Sequence, residues 1–240
     1  MEREEFYEEM LEKSSKLNIN LTVEQLNKFY KYMEMLITWN EKINLTAIIE
    51  PHEIILKHFI DSLTLNKYLK NNENLVDVGT GAGFPGIPIS IVRKDIKITL
   101  VDSLNKRLNF LNEVIKELKL ENVETVHSRA EDLGQDIKYR EKFDISTSRA
   151  VANLSTLSEY LIPLVKINGQ AICMKAGDAQ EEIKNAQNAI KTLGGQVNKI
   201  EEFCLPDSDI NRTIIIIEKK CSTKKCYPRK AGIPSKEPIK

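Results

Sequence analysis

The chain has 240 residues, of which 41% are hydrophobic and 29% are charged, and its formal net charge is zero. It is long enough to bury a sizeable core in one or two domains and has the composition of an ordinary water-soluble protein. No apolar run reaches the length of a membrane span, and the N-terminus is acidic where a signal peptide would be basic. We therefore expect a cytoplasmic protein that does not bind a membrane.

The first part of the chain, residues 1–70, predicts helices. The sequence T-V-E-Q at residues 22–25 has the pattern of an N-terminal capping box, and apolar residues recur after it at helical spacing. A second helical pattern runs through residues 52–68 and ends at a run of asparagines. We expect these helices to form a cap against the rest of the fold. His52 and His58 are interpreted as packing or hydrogen-bonding residues and not as catalysts.

The most informative stretch is residues 74–102, which read NLVDVGTGAGFPGIPISIVRKDIKITLVD. The pattern predicts a strand, a glycine-rich turn, a helix and a second strand that ends at Asp102. Glycines in the turn let the backbone approach a ligand closely, because they tolerate positive φ and carry no side chain. Asp102 at the tip of the second strand can accept hydrogen bonds from both hydroxyls of a ribose. The stretch therefore predicts half of a nucleotide-binding site.

Two cofactors fit this stretch. Gly81, Gly83 and Gly86 satisfy G-x-G-x-x-G, the dinucleotide fingerprint, which alone is a weak signal. Asp77 precedes the first glycine, however, and D-V-G-T-G-A-G resembles motif I of class I S-adenosylmethionine (SAM) methyltransferases. In that motif the loop contacts the methionine part of SAM and the later acid contacts its ribose, whereas NAD folds usually have an apolar residue in place of Asp77. We favour SAM over NAD, and a purely structural glycine turn is a third interpretation.

After Asp102 the sequence continues to alternate strands and helices. Further strands are predicted at residues 123–128, 143–149, 170–175, 195–205 and 213–219, and helices from Ser103 to about Lys119, from about Ala150 to Lys166 and from Gly177 to Leu193. The turn-rich segment 206–209 leaves no room for a helical crossover, so the last two strands must pair as an antiparallel hairpin. We predict an α/β fold of the class I SAM-dependent methyltransferase type: a Rossmann-like, seven-stranded sheet with an antiparallel last strand and an N-terminal helical cap.

Ligands on such sheets bind at the carboxyl ends of the strands. That rule nominates Ala130 and Glu131 after the third strand, Arg149 at the end of the fourth and Lys175 at the end of the fifth. Considered without the fold, Glu131 has another interpretation, as an acid in the first turn of a helix where the helix dipole favours a negative charge. These residues and the glycine loop should meet at one edge of the sheet.

The charge of the chain is unevenly distributed. Residues 219–240 contain eight basic residues and one acid, for a net charge of +7, and the preceding part carries −7. A basic tail on an acidic body suggests contact with a polyanion, and a disordered, solvated tail is the alternative. The predicted division is an N-terminal helical cap (1–70), a SAM-binding methyltransferase domain (71–220) and a basic C-terminal tail (221–240).

The four cysteines predict reduced thiols. Cys221 and Cys226 are close in sequence, but no second pair completes a zinc site, so we predict no bound metal.

Six motifs, in order, resemble the RsmG family of bacterial 16S rRNA guanine-N7 methyltransferases, also called GidB. They are W-N-E-K-I-N-L-T-A-I (39–48), K-H-F-I-D-S-L (57–63), V-D-V-G-T-G-A-G-F-P-G-I-P (76–88), S-R-A-E (128–131), S-R-A-V-A-N-L (148–154) and Y-P-R-K-A-G-I-P (227–234). The resemblance runs from about residue 20 to the end of the chain. It implies SAM contacts at Gly79, Phe84, Asp102, Ala130, Glu131 and Arg149. It also implies 16S rRNA or a small ribosomal subunit precursor as the partner, and we expect a monomer.

The chain lacks the sequence motifs that methylation of an exocyclic amine or of a pyrimidine carbon would need, which is consistent with N7 methylation. Enzymes that methylate an exocyclic amine typically carry N-P-P-Y or D-P-P-Y after the fourth strand, where this chain has S-R-A-V. Methylation of a pyrimidine carbon needs a cysteine nucleophile near a strand end, and Cys173 lies inside its strand. Guanine N7 has an exposed in-plane lone pair and no proton to remove, so it needs no general base. We nominate no catalytic residue, and the alternatives are an NAD-dependent oxidoreductase and a non-catalytic SAM- or nucleotide-binding regulator.

The C-terminal motif carries a last prediction. Residues 227–232 should contact the RNA backbone and should not contribute to the SAM pocket. Their positive charge favours a polyanion, and the prolines at 228 and 234 favour an extended path along it.

Overall fold

The computed structural model describes residues 1–149 and 152–240. The helices are α1 (Arg3–Ser15), α2 (Val23–Ile43), α3 (Pro51–Ile54), α4 (Asp61–Leu63), α5 (Gly86–Val92), α6 (Asn105–Glu117), α7 (Ala130–Gln135), α8 (Leu154–Leu161), α9 (Gln180–Thr192) and α10 (Ile233–Lys236). The strands are β1 (Asn74–Val78), β2 (Lys97–Asp102), β3 (Val123–His127), β4 (Phe143–Arg149), β5 (Val165–Ala176), β6 (Gly195–Cys204) and β7 (Asn211–Lys219). Among these helices none is long and apolar enough to cross a bilayer.

All seven strands form one sheet in the order β3-β2-β1-β4-β5-β7-β6. The β7 strand runs antiparallel to β5 and β6, and the other neighbours are parallel. The predicted fold class, with its hairpin and antiparallel ending, is confirmed. The strand order reverses between β1 and β4, which is where such sheets open a ligand crevice at the carboxyl ends of their strands.

The sheet separates two hydrophobic clusters. Because successive side chains of a strand point to opposite faces, Leu75 and Val76 of β1 enter different clusters. The Leu75 face packs against α1, α2, α5, α6 and the helical segment 51–68, while the Val76 face packs against α7, α8 and α9. The N-terminal helices therefore share one core with the sheet, which fixes their position relative to the strand ends.

An aromatic cluster joins the N-terminal helices to the glycine loop. The Tyr32 ring of α2 lies 5.4 Å from the Phe59 ring and 5.6 Å from the Phe84 ring, and its hydroxyl donates to the carbonyl oxygen of Ala82. Gly83 has φ +102°, and a Cβ there would lie 2.7 Å from the Tyr32 hydroxyl. This glycine is required because the loop and α2 approach closely while the backbone turns.

Several predicted elements differ in detail. Residues 51–68 are one helical segment, but a π-helical turn at Ile55–Ile60 and a 3-10 helix at Thr64–Tyr68 interrupt the α-helical pattern. The helix after β2 begins at Asn105 and not at Ser103, and the Asp102 carboxylate accepts the N–H of Leu104, the residue before the helix, at 2.9 Å.

The helix predicted from about Ala150 to Lys166 is shorter: α8 begins at Leu154, where the side chain of Asn153 accepts the Thr156 N–H at 3.0 Å and caps it, and α8 ends at Leu161. The strand predicted at residues 170–175 is longer, since β5 begins at Val165. Ala150 and Val151, the start of the prediction, lie outside the described residues. The three-part division at residues 70 and 220 stays a prediction.

Candidate cofactor and acceptor site

A cavity of about 550 Å³ opens at the carboxyl ends of β1, β2, β3 and β4. The six predicted SAM contacts all line it: Gly79, Phe84, Asp102, Ala130, Glu131 and Arg149. Lys175, nominated by the same rule, does not line it, since its ammonium group lies 2.7 Å from the Glu182 carboxylate and 2.9 Å from the carbonyl oxygen of Ala152. The structure brings the six together, and their binding of SAM stays a prediction.

A larger groove of about 1140 Å³ lies at the opposite, amino ends of the strands. Charged side chains of both signs line it, including Lys28, Lys97, Glu117 and Glu124. Sheets of this kind bind their ligands at the carboxyl ends of the strands, so we place the functional site in the smaller cavity.

Asp77 lies buried beneath the glycine loop. One carboxylate oxygen, Oδ2, accepts the Thr80 hydroxyl at 2.7 Å and the Gly86 N–H at 2.9 Å. The other, Oδ1, has no hydrogen-bond partner within the described parts of the chain, and burial raises the pKa of Asp77 to about 6. The acid that distinguished the SAM motif in the sequence therefore shapes the loop from below and does not line the cavity.

We expect Asp77→Asn to change the pH dependence of stability. In the wild type the unfolded state ionises Asp77 near its ordinary pKa of 3.8, while the folded state holds the proton until about pH 6. The free energy of unfolding therefore falls as pH rises from about 4 to about 6, by on the order of 3 kcal/mol for a shift of about two units. An asparagine removes this loss and can still accept both hydrogen bonds through its oxygen.

Urea unfolding of both proteins at several pH values measures this. The variant should gain stability relative to the wild type across that window, and a difference that is constant with pH would contradict the prediction.

Asp102 at the end of β2 is almost fully buried and is held from several sides. Its Oδ2 accepts the Gly81 N–H at 3.0 Å and the Arg107 guanidinium at 3.3 Å, and its Oδ1 accepts the Leu104 N–H. The loop glycine and the acid are thus coupled directly, although 21 residues separate them.

Glu131 in the first turn of α7 is buried at the other side of the cavity. Its Oε1 accepts the N–H of Gly232 at 2.8 Å, and Gly232 and Ser235 line the same cavity. The prediction that residues 227–232 stay outside this pocket is therefore wrong.

Hydrogen bonds with half-buried Arg140 and fully buried Glu159 hold this C-terminal strap, which we define as residues 221–236, against the domain. Arg140 donates to three carbonyl oxygens within residues 223–227. Glu159, which is fully buried, accepts both the backbone N–H of Arg229 at 2.7 Å and its guanidinium at 2.7–3.2 Å. The +7 charge suggested a chain free to meet a polyanion, but Arg229 uses its charge inside the protein.

Arg149 forms the wall of the cavity at the end of β4. Its guanidinium donates to the carbonyl oxygen of Lys57 at 3.0 Å and to the Asp61 carboxylate at 3.2 Å, and it lies 4.9 Å from the centre of the Phe84 ring. The His58 ring stacks on the same Phe84 ring with the centroids 4.4 Å apart. The N-terminal helices therefore build one wall of the site.

His58 packs and forms hydrogen bonds as predicted, whereas Thr46 and Asp61 carried no prediction, although all three belong to motifs of the family resemblance. Thr46 and His58 line the cavity, and the Thr46 Oγ1 atom lies 2.9 Å from Nε2 of His58. Burial, together with the neighbouring charge of Arg149, lowers the pKa of His58 to about 3, so its ring is neutral near pH 7. The sequence marked these residues only through the two family motifs at residues 39–48 and 57–63, and neither motif indicates a chemical role.

Solved structures with a similar fold include methyltransferases. A SAM-dependent methyltransferase from Aquifex aeolicus aligns with a TM-score of 0.52 at 19% identity, covering 70% of this chain and 94% of the other. M. jannaschii TYW2 in complex with AdoMet aligns with a TM-score of 0.52 at 16% identity, covering 66% and 76%. The fold is that of the class I SAM-dependent methyltransferases.

Sequence comparison identifies the family. The family model GidB, described as rRNA small subunit methyltransferase G, matches residues 25–211. Ribosomal RNA small subunit methyltransferase G of Acetivibrio thermocellus is 52% identical over 231 residues, covering 96% of this chain and 95% of that protein. The protein of the same name from Desulforamulus reducens is 53% identical over 228 residues, covering 94% and 95%. This chain belongs to the GidB family of methyltransferases.

Proposed function

We propose that this protein transfers the methyl group of SAM to N7 of a guanine in 16S rRNA. The observation that carries the proposal is the convergence of six residues, which the family resemblance nominates for SAM, on one cavity at the carboxyl ends of the strands. The names of the family and its relatives support RNA of the small ribosomal subunit as the substrate.

The cavity residues fit this cofactor. Among the described residues, a Cβ added at Gly81 would have only one atom as near as 4.0 Å, so the loop leaves open space in front of its backbone. Asp102 would accept hydrogen bonds from the ribose hydroxyls, and Glu131 and Arg149 would hold the two ends of the ligand. SAM supplies an electrophilic methyl group bound to a positively charged sulfur, and the protein has to align it with the acceptor.

Methylation of guanine N7 requires neither a general base nor a nucleophilic side chain. The in-plane lone pair of N7 forms the new N–C bond while the pair of the broken S–C bond stays on sulfur, so no proton has to move. Methylation of a pyrimidine carbon would need a thiolate, but burial raises the pKa of Cys173 to about 12 and its side chain is fully covered. Proximity and alignment are sufficient for N7.

The test is to incubate the purified protein with methyl-labelled SAM and unmodified small-subunit RNA and to map the labelled base. We expect label at N7 of one guanine. Label on an exocyclic amine or on a pyrimidine carbon would contradict the proposed acceptor. Tight binding of NAD with no binding of SAM would contradict the whole assignment.

Asp102→Ala is expected to weaken SAM binding. The carboxylate would lose its hydrogen bonds to the ribose, and bonds that involve a charged group contribute about 1.5–3 kcal/mol. Calorimetric titration with SAM measures the change. A loss confined to RNA affinity would mean that Asp102 does not hold the ribose.

RNA contact by the strap should depend on Lys230 and Lys236. Both side chains are exposed on either side of Gly232 and Ser235, and within the described parts of the chain neither pairs with a carboxylate. Each lysine that meets a phosphate releases counterions, so replacing both by Ala should flatten the slope of log affinity against log salt by about 1.4–1.8.

Titrations with substrate RNA at several salt concentrations test this prediction. Replacing Lys184 and Lys191 by Ala is the matched control, because these lysines are exposed on α9, away from the cavity. An unchanged slope in the strap variant would place the RNA surface elsewhere, most simply on the N-terminal helices.

A further inference from the structure

The proton of His58 has a defined position. The Nη2 atom of Arg149 lies 3.1 Å from Nδ1 of His58, and a guanidinium can only donate, so Nδ1 accepts. A neutral imidazole whose Nδ1 accepts carries its proton on Nε2. Arg149 therefore selects the tautomer that donates from Nε2.

The same network directs the hydroxyl of Thr46. The Nε2 atom of His58 lies 2.9 Å from Thr46 Oγ1, and the N–H of Ile48 donates to this oxygen at 3.0 Å. A hydroxyl has two lone pairs and one proton, so both accepting positions are used. Within the described residues no hydrogen bond takes the Thr46 proton, and Thr46 lines the cavity. The proton is therefore available to a ligand.

The backbone around Thr46 is held in place. The side-chain oxygen of Asn40, near the end of α2, accepts the N–H of Leu45 at 2.6 Å and that of Thr46 at 2.8 Å. Asn44 between them adopts the left-handed conformation that ends the helix. The hydroxyl is thus presented by a rigid turn and not by a mobile loop.

Thr46 lies on the side of the cavity where the acceptor base is expected. Asp102 ends β2 and Arg149 ends β4, and β1 with its glycine loop lies between them. If Asp102 holds the ribose of SAM, as the proposed function states, the methionine part extends over the glycine loop toward β4. The His58 and Arg149 wall, with Thr46 attached to it, therefore faces the methyl group and its acceptor.

We propose that the Thr46 hydroxyl donates to the O6 carbonyl of the acceptor guanine and selects guanine over adenine. The edge of guanine that carries N7 also carries O6, and both are acceptors, whereas adenine has an amino donor in place of O6. The Thr46 hydroxyl, whose orientation His58 and Ile48 fix, can donate to guanine O6 but would face a second donor in the adenine amino group. The lone pair of N7 stays free for the methyl group. This inference rests on the proposed function and names the residue that reads the base.

The experiment combines protein variants with base analogues at the modified position. The RNA contains guanine or 2-aminopurine, which keeps N7 but lacks O6; inosine, which keeps O6, is the control substrate. The proteins are the wild type, Thr46→Val, which has nearly the same shape without the hydroxyl, and Thr46→Ser, which restores it. The readout is kcat/KM for each pair.

The wild type should prefer guanine over 2-aminopurine, and Thr46→Val should reduce that preference on the order of 2- to 13-fold, the range of one neutral hydrogen bond. Thr46→Ser should restore the preference, and the ratio of guanine to inosine should be the same in all three proteins. Any disturbance of His58 or Ile48 affects both substrates, so the ratio isolates the contact with O6.

Three results would overturn the inference. An equal preference in the wild type and Thr46→Val would refute the role of Thr46 alone, and a loss of SAM affinity in Thr46→Val would show that the hydroxyl serves the cofactor. A wild-type protein that binds SAM but leaves guanine N7 unlabelled would refute the proposed function and this inference with it.

Discussion

Replacing Gly81 by Val is expected to abolish SAM binding while the sheet stays folded. Gly81 has φ +63°, its N–H donates to Asp102, and the space in front of it is open to the cavity. A valine side chain would fill that space, and a β-branched residue at this φ would also shift the loop that holds the ribose acid. Calorimetry with SAM should show no measurable binding.

The control is Gly177→Val. Gly177 has φ +66°, no atom of the described chain lies within 4 Å of an added Cβ, and this glycine is half-buried and does not line the cavity. The Gly177→Val substitution therefore imposes a similar backbone strain without filling the cavity. We expect this variant to lose some stability and to keep its SAM affinity. Equal losses of affinity in the two variants would show that strain, and not filling of the cavity, is responsible.

Most of the site on the sheet could be predicted because its signals are local. Each strand is a short apolar run, and the residue that follows it is known as soon as the strand is known. One rule, that ligands bind at the carboxyl ends of the strands, then brings Asp102, Glu131 and Arg149 together. The rule also nominated Lys175, which the structure excludes because its ammonium group turns toward Glu182.

The rest of the site depends on contacts between distant parts of the chain. Gly232 donates to Glu131 across 101 residues, and Arg149 reaches His58 across 91. No periodicity or spacing encodes such pairs, since each depends on how the helices pack on the sheet. For the same reason the role of the Arg229 charge could not be predicted from composition. A net charge counts a lysine exposed to solvent and an arginine paired with a buried carboxylate in the same way.

Arg229→Ala is expected to cause the largest loss of stability among these variants. It would leave the fully buried Glu159 carboxylate without its cationic partner, and breaking a buried pair from one side costs about 3–5 kcal/mol. Because the Arg229 side chain is 26% exposed, we expect the lower part of this range. Urea unfolding measures it.

Adding Glu159→Gln to Arg229→Ala should recover most of that loss, because the double variant no longer buries an unpaired charge. A double variant that is as unstable as Arg229→Ala would show that the strap is held mainly by its packing and by Arg140, and not by this pair.

The same variant tests whether the strap belongs to the cofactor site. Arg229 anchors the strap three residues before Gly232, whose N–H fixes Glu131, while the Thr156 hydroxyl holds the Pro234 carbonyl oxygen on the other side. Releasing the Arg229 side of the strap should let Glu131 turn away from the ligand. At a temperature where Arg229→Ala is folded, its SAM affinity should fall by up to about 1.5–3 kcal/mol, the contribution of one hydrogen bond to a charged group. Lys230→Ala, one residue along and exposed, should keep wild-type affinity. If Arg229→Ala is destabilised but binds SAM normally, the strap stabilises the fold without positioning Glu131.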